Sequence, residues 1–517
     1  VDGDVRLLAA VDVKLGGITT NANASITATT GSIFDRGDTG GEDVVAAGLR
    51  LFAGTGVGEL GGTVDPIETL VVTVSARATS GGISLLESDT LIVDDVAVTI
   101  QDVEMDANVT PVTDMTQSDL RTTADAGSIV LRTLNGNITL RNGSAPDDNT
   151  SVSANGLGNI LIAAEGAATS VTAETEADIL SGAGHISILA ALNVSLNMGV
   201  DVTTAGVGTV DIEATTGSFT MSDSASLNTV TGDIRVQAGD TTADQVVIGD
   251  ITASTGNVSI DTSGSVLDAD SDDLDNDITS VGLAIEAGMG VGLLIGNSFG
   301  QSVNAIETTV ETLAVLVLGS DGINILEADS LNVNDVRSPL DAGVSATVER
   351  VGAAAIVTTQ SEAVQSDLVT TAGNGSIVVK TTAGNITLND GTAPMDNTVV
   401  SADGAGNVLV QALGALTDVT ANADINSGSG HITVKAAQSV LFTATADIRT
   451  AESGTINVEA GTGSITQDDG SRFESVDGDV RLLAAVDVKL GGITTNANAS
   501  ITATTGSIFD RGDTGGE

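Results

Sequence analysis

Acids are the residues best placed to do chemistry. Six aspartates, Asp268, Asp270, Asp272, Asp273, Asp275 and Asp277, fall within ten residues. Flexible clusters of carboxylate oxygens take hard cations such as Ca²⁺, which gathers about six to eight oxygen ligands, so this run is the candidate calcium site. It lacks the spacing and closing glutamate of an EF-hand, and it does not match the calcium-binding solenoid repeat. A solvated acidic loop is the plainer reading. Asp147-Asp148 and Asp468-Asp469 are weaker versions of the same signal. Arg36-Gly37-Asp38, repeated as Arg511-Gly512-Asp513, is a candidate adhesion tripeptide. The equivalent place later in the chain reads Asp268-Ala269-Asp270, which favours a chance glycine turn between two charges.

Other patterns carry less. Gly56, Gly58 and Gly61 satisfy G-x-G-x-x-G, but a dinucleotide site needs a helix next, and GGTVDPIETL with Pro66 follows instead. His185 and His431 occupy equivalent places in GHISI and GHITV, too far apart for one metal or catalytic centre. No compact acid-plus-base cluster of the polysaccharide-lyase kind stands out. Thr27-Ala28-Thr29 is not repeated coil by coil as an ice-binding face requires, and the Asn-x-Ser/Thr triplets at Asn137, Asn257 and Asn385 are compositional.

Composition says what can hold such residues. The 517 residues include 62 Gly, seven Phe, no Trp, Tyr or Cys, and 41% hydrophobic residues. Such a core must be built from stacked aliphatic side chains, which suits a narrow, uniform interior. Zero cysteines exclude a disulfide framework and thiolate metal sites. A net charge of −51 repels phosphate and excludes nucleic acid as a partner. It disfavours anionic membrane surfaces, attracts divalent cations and is best tolerated in saline surroundings. The most apolar stretches, 281–295 and 311–319, are too short and Gly-rich to span a bilayer and read as buried strands.

Repetition organises the chain at three levels. Residues 476–517 repeat 1–42 letter for letter, at an offset of 475. The sequence therefore reads as one full unit plus the opening of the next in a tandem array. The unit is itself a duplication: GGISLLESDTLIVDDV at 81–96 matches DGINILEADSLNVNDV at 321–336, and GSIVLRTLNGNITL at 127–140 matches GSIVVKTTAGNITL at 375–388. Half-repeats span 1–229 and 230–475, and 476–517 opens the next copy. Below that, the phrase Gly-polar-Ile/Val-x-aliphatic (GNITL at 136, GNILI at 158, GHISI at 184, GTVDI at 208, GDIRV at 232) returns at intervals of 22 to 26 residues.

Each phrase alternates polar and apolar residues, the signature of a strand with one buried face. Its glycine is expected to turn the corner, often with positive φ. A period of about 24 residues holds two or three short strands, one coil of a β-solenoid. The expected fold is all-β, a parallel β-helix of about 20 coils per unit, with a rise of about 4.8 Å per coil and about 95 Å per unit. Segments 36–80 and 269–320 break the beat and are read as coils with longer side loops.

These phrases, together with GVG…PIETLVVTVSA…GGISLLESDTLIVDDV at 56–96, resemble the shafts of filamentous-haemagglutinin-type adhesins and related giant repeat-rich bacterial surface proteins. The resemblance implies a right-handed parallel β-helix in a secreted or cell-surface fibre, and the expected role is that of a structural shaft with no catalytic activity. The expected partners are adjacent copies of the repeat end to end, with cell-surface glycans or other cells beyond them. Two rival expectations are a carbohydrate-active β-helix enzyme and an adhesin that binds ligand through the side loops.

Overall fold

The computed structural model describes residues 2–37, 41–62, 64–270, 275–294 and 304–511. Among these residues are 53 strands and no helix, and 47 of the strands belong to one sheet of parallel ladders. Two compact units are present: one comprises Val1–Asp240, Thr252–Ser254 and Thr347–Gln360, the other Thr241–Ile251, Thr255–Ala346 and Ser361–Glu517.

In the first unit a coil carries three strands, as in Thr150–Ala154, Ile160–Ala164 and Val171–Ala173. Each strand pairs in parallel with its counterpart one coil on. Ile160 faces Ile186, which faces Val210, which faces Ile234, and Ile162, Ile188, Ile212 and Val236 stack in the same way. All eight side chains are fully buried. The phrase seen in the sequence is thus the middle strand of the coil, and its alternate residues form continuous aliphatic columns. The second unit follows the same rule, with Ile377, Val408, Ile432, Ile456 and Val480 in one column. Three phenylalanines, Phe219, Phe442 and Phe473, replace aliphatics inside.

The glycine that opens each phrase is required for a different reason from the expected one. None of Gly158, Gly184, Gly208 and Gly232 has a left-handed φ; a Cβ on each would instead lie 2.3, 2.2, 2.4 and 1.8 Å from the carbonyl oxygen of the stacked glycine one coil earlier. Close approach of backbone to backbone, not a special φ, excludes every other residue. Positive φ falls two residues earlier in some coils, at Gly156 and Gly206, both at 58°. Buried hydroxyls satisfy these glycine carbonyls: Ser181 Oγ donates to Gly158 O at 2.8 Å and Thr204 Oγ1 to Gly184 O at 2.6 Å.

Within 36–80 and 269–320 the described residues run largely as long ladder strands. Val44–Ala53 pairs with Ile67–Ala78, and Ile278–Ala287 with Ile306–Val317. Each segment also holds a short excursion closed by an antiparallel bridge, Glu59 to Asp65 and Leu293 to Asn304, and two hairpins that the phrase count does not reveal leave the ladder elsewhere. Val96–Val103 pairs antiparallel with Val109–Gln117, and Val344–Val351 forms a two-stranded sheet with Val357–Ala363.

Candidate functional site

The duplicated 42 residues place one sequence in two environments. In its first copy the strand Asn23–Ala28 is paired on both edges, with Leu7 and Leu51 flanking Ile26. In the second copy the equivalent Ile501 is paired with Leu482 in the preceding strand, and no described strand follows on its other edge. Burial changes accordingly: Ile33 is fully buried, whereas its copy Ile508 is 48% exposed. The opposite face behaves in mirror fashion. Leu7 is 38% exposed, whereas its copy Leu482 is fully buried beside Val458. Each open coil face is therefore one that the same residues show covered elsewhere in the chain.

Coil stacking also gathers carboxylates. Asp35, Asp43 and Glu68 each offer an oxygen within 4.8 Å of the others, and so do Asp268, Asp277 and Glu307. The two triads are equivalent. Asp35 and Asp268 close GSIFD and GSVLD, Asp43 and Asp277 open the next long strand, and Glu68 and Glu307 sit in the IET of the one after. Their hydrogen bonds match as well: Asp43 Oδ2 accepts from Glu68 N at 3.2 Å and Asp277 Oδ2 from Glu307 N at 2.7 Å. Asp35 is 7% exposed. Its Oδ2 accepts from Gly37 N at 3.0 Å, and its Oδ1 finds no hydrogen-bond partner among the described residues. Burial, reinforced by the neighbouring Asp35, pushes Asp43 up to about 8. Burial, with the charge of Asp268, pushes Asp277 up to about 9. Burial likewise raises Glu68 and Asp268.

Of the six aspartates singled out in the sequence, Asp268 and Asp277 meet in a triad, with Glu307 as the third member that sequence reading missed. Asp270 and Asp275 lie outside it, and Asp272 and Asp273 fall outside the described residues. The first triad was missed entirely. Its signal was the recurrence of three acids at equivalent places in the two halves.

The tripeptides are described only in part. Arg36 and Gly37 follow Asp35 in a turn, and Arg511 pairs with Asp468 at 2.9 Å. Asp38, Gly512 and Asp513 lie outside the described residues. His185 and His431 each place Nδ1 2.9 Å from a threonine hydroxyl one coil on, Thr209 and Thr455. These histidines are ties between coils, and burial lowers the pKa of His185. Gly58 and Gly61, with φ of 66° and 92°, sit between strands with no helix beside them.

Acid-and-base clusters do form, and the sequence spacing hid them: Arg449 engages Asp424, Asp447 and Glu474, and a second cluster centres on Asp211. Asp211, fully buried, accepts from Arg235 Nη1 at 3.0 Å and from Arg350 Nε at 2.6 Å, while Arg350 Nη2 also pairs with Glu213. Two guanidinium groups thus engage both oxygens of Asp211. Such an arrangement clamps residues 347–360 to the coils and leaves the carboxylate no lone role as a base.

Comparison with known proteins returns no match to any family model, curated protein or solved structure.

Proposed function

We propose that the chain is a structural repeat of a long extracellular or cell-surface fibre, an adhesin-type shaft whose task is reach and whose end-to-end partner is the next copy of itself. The observation that carries this reading is the double environment of the 42-residue segment. Residues buried under the following coil in one copy stand open in the other. An exposed strand edge invites pairing, and the segment's own first copy supplies the occupant: a strand with the sequence of Val44–Ala53. Stability in such a fold is a sum over coils and their neighbour contacts, so copies add length without a new core. The charge of −51 keeps neighbouring fibres apart.

Negative-stain imaging of chains with one, two and three copies tests the proposal. Each added copy is expected to lengthen the particle by about 95 Å, from about 20 coils at about 4.8 Å each. Separate beads joined by linkers would overturn it. Cleavage of an acidic glycan by the purified chain would favour the enzyme reading instead.

A further inference from the structure

The hairpin Val96–Gln117 has a counterpart that is seated across the coils of the first unit. In the first unit, residues 347–360 lie across five successive coils. Thr347 N donates to Asp233 Oδ2 at 2.8 Å, Glu349 N to Thr209 Oγ1 at 2.9 Å and Val351 N to Ser187 Oγ at 2.9 Å. Val351 packs on Val130, Leu161 and Ala163. The outward residue at the second place of each middle strand is buried as a result: Val130, Leu161, Ser187, Asp211 and Arg235 are all at most 7% exposed. The second unit repeats these coils, yet the equivalent Val378, Leu409, Thr433 and Asn457 are half-buried and Arg481 is exposed.

Val96–Gln117 matches the segment that fills the first seat. Its turn is the same: Glu104 N donates to Asn108 O at 2.9 Å with Ala107 at φ 62°, as Gly352 N does to Ile356 O at 2.9 Å with Ala355 at φ 58°. Its root is the same too, since Thr99 N donates to Asp4 Oδ2 at 2.8 Å, and Asp4 stands in GDVRL where Asp233 stands in GDIRV. Beyond that root Val103, Met105 and Val109 are 67, 107 and 56% exposed. Asp479 is the second copy of Asp4, so in an array the hairpin of the following copy is rooted there.

We propose that the hairpin Val96–Gln117 of each copy lies back across the outward face of the preceding copy at Val378, Leu409, Thr433 and Asn457, as a strap over the junction. Charges agree: the hairpin carries Asp102, Glu104 and Asp106, and the face carries Lys380, Lys435 and Arg481 against the single acid Glu459, which lies 4.0 Å from Lys435 and 3.5 Å from Arg481, a net positive patch in an acidic chain. This rests on the tandem reading above. The test uses a two-copy chain with Leu409→Cys in the first copy and Val103→Cys in the second, free of native cysteine. Disulfide formation is expected to run at least about tenfold faster than with the cysteine moved from Leu409 to Leu413, because only the seated pair is held at bonding distance. Equal rates overturn the strap. Amide exchange at Ala499–Ala503, measured on the same chain, separates the failures: protection there with equal cysteine rates sinks the strap alone, and no protection sinks the array.

The structure also assigns one divalent-cation site of calcium-like chemistry to the first half-repeat, at Asp35, Asp43 and Glu68. Three carboxylates within 4.8 Å concentrate negative charge that a hard cation neutralises. Asp35, more than nine-tenths buried, has an Oδ1 without a hydrogen-bond partner among the described residues. Calcium titration of the full chain by calorimetry, in enough salt to suppress the diffuse ion atmosphere, is expected to show a site that Asp43→Asn removes while circular dichroism is unchanged, and that Asp418→Asn leaves intact. Binding indifferent to Asp43→Asn, or only weak salt-sensitive uptake, overturns the assignment.

Discussion

Replacing Gly232 by alanine tests the packing rule on which the coil is built. The new Cβ would lie 1.8 Å from Gly208 O and 2.6 Å from Gly208 C, so at least about 1 Å of movement is needed where coils sit about 4.8 Å apart. Backbone atoms on both sides cannot swing aside as a side chain can. Overpacking of this kind costs about 1–3 kcal/mol. The Thr229 Oγ1 bond to Gly232 O, at 2.5 Å, is strained by the same shift, for about 1 kcal/mol more. The expected loss is about 3 kcal/mol, equivalent to about a hundredfold in local opening. Gly62 is the control, because its Cβ would meet nothing within 4 Å and its φ is not left-handed. Gly62→Ala is expected to be neutral or to stabilise by about 0.4–1 kcal/mol. Hydrogen exchange of the strands Val210–Ala214 and Ile234–Ala238 reads the effect where it acts. Exchange in Gly232→Ala within about twofold of the parent, well below the hundredfold expected from the shift, would refute the argument from coil contact.

Two further outcomes follow from the columns and from the buried acids. Ile188→Ala, in a fully buried column, is expected to cost about 2–5 kcal/mol and to raise exchange in Ile160–Ala164 and Val210–Ala214. Leu189→Ala, half-buried against Val130, Leu161, Ala163 and Val351 on the other side of the strand, is expected to cost less, about 1–2 kcal/mol, and a larger effect than that of Ile188→Ala would contradict the assigned faces. Burial pushes Glu87 and Glu327 up to about 7 from an ordinary 4.5, against bonds from Thr69 and Thr308. In that window the folded chain holds protons the unfolded chain has released, so the contribution of these two groups falls as pH rises from about 4.5 to about 7, and Asp43 and Asp277, raised to about 8 and about 9, carry the fall further. The two glutamates together account for up to about 6 kcal/mol. Thermal unfolding at both limits, in high salt to screen general repulsion, is expected to show this slope, and Glu87→Gln with Glu327→Gln is expected to reduce it, the remainder coming from Asp119, Asp178 and Asp367, which burial also raises. An unchanged slope would assign it to other groups.

The parallel coil was legible because its signal is local. In GNILI and GHISI the alternation that buries Ile160 and Ile186 can be read within five residues. The corner glycine was found for the wrong reason, since a carbonyl from Gly208 pressing on Gly232 leaves no trace in the neighbouring letters. The first triad was missed for a related reason. Asp35, Asp43 and Glu68 are spread over three strands and form no dense run of acids in the sequence, and they meet only because stacking brings one coil over another. Two of the six clustered aspartates, Asp268 and Asp277, were found by density of charge, yet density did not point to Glu307. The hairpins were hidden because polar stretches without the glycine phrase read as loops, and the two have diverged except at their turn and root. The ion cluster at Asp211 likewise needed Arg350, which lies 139 residues away.

The account rests most heavily on one sequence having two fates, and amide exchange can follow both at once. In the present chain Ala499–Ala503 is expected to exchange faster than its copy in Asn23–Ala28, because its second edge has no strand in the described ladder. Extending the chain through the sequence of residues 43–96 is expected to slow Ala499–Ala503 until the two copies match. Covering Ile508, 48% exposed, contributes about 2 kcal/mol to that change. Identical exchange of the two copies before extension, or no slowing after it, would contradict the claim that the repeat is completed by its own next copy.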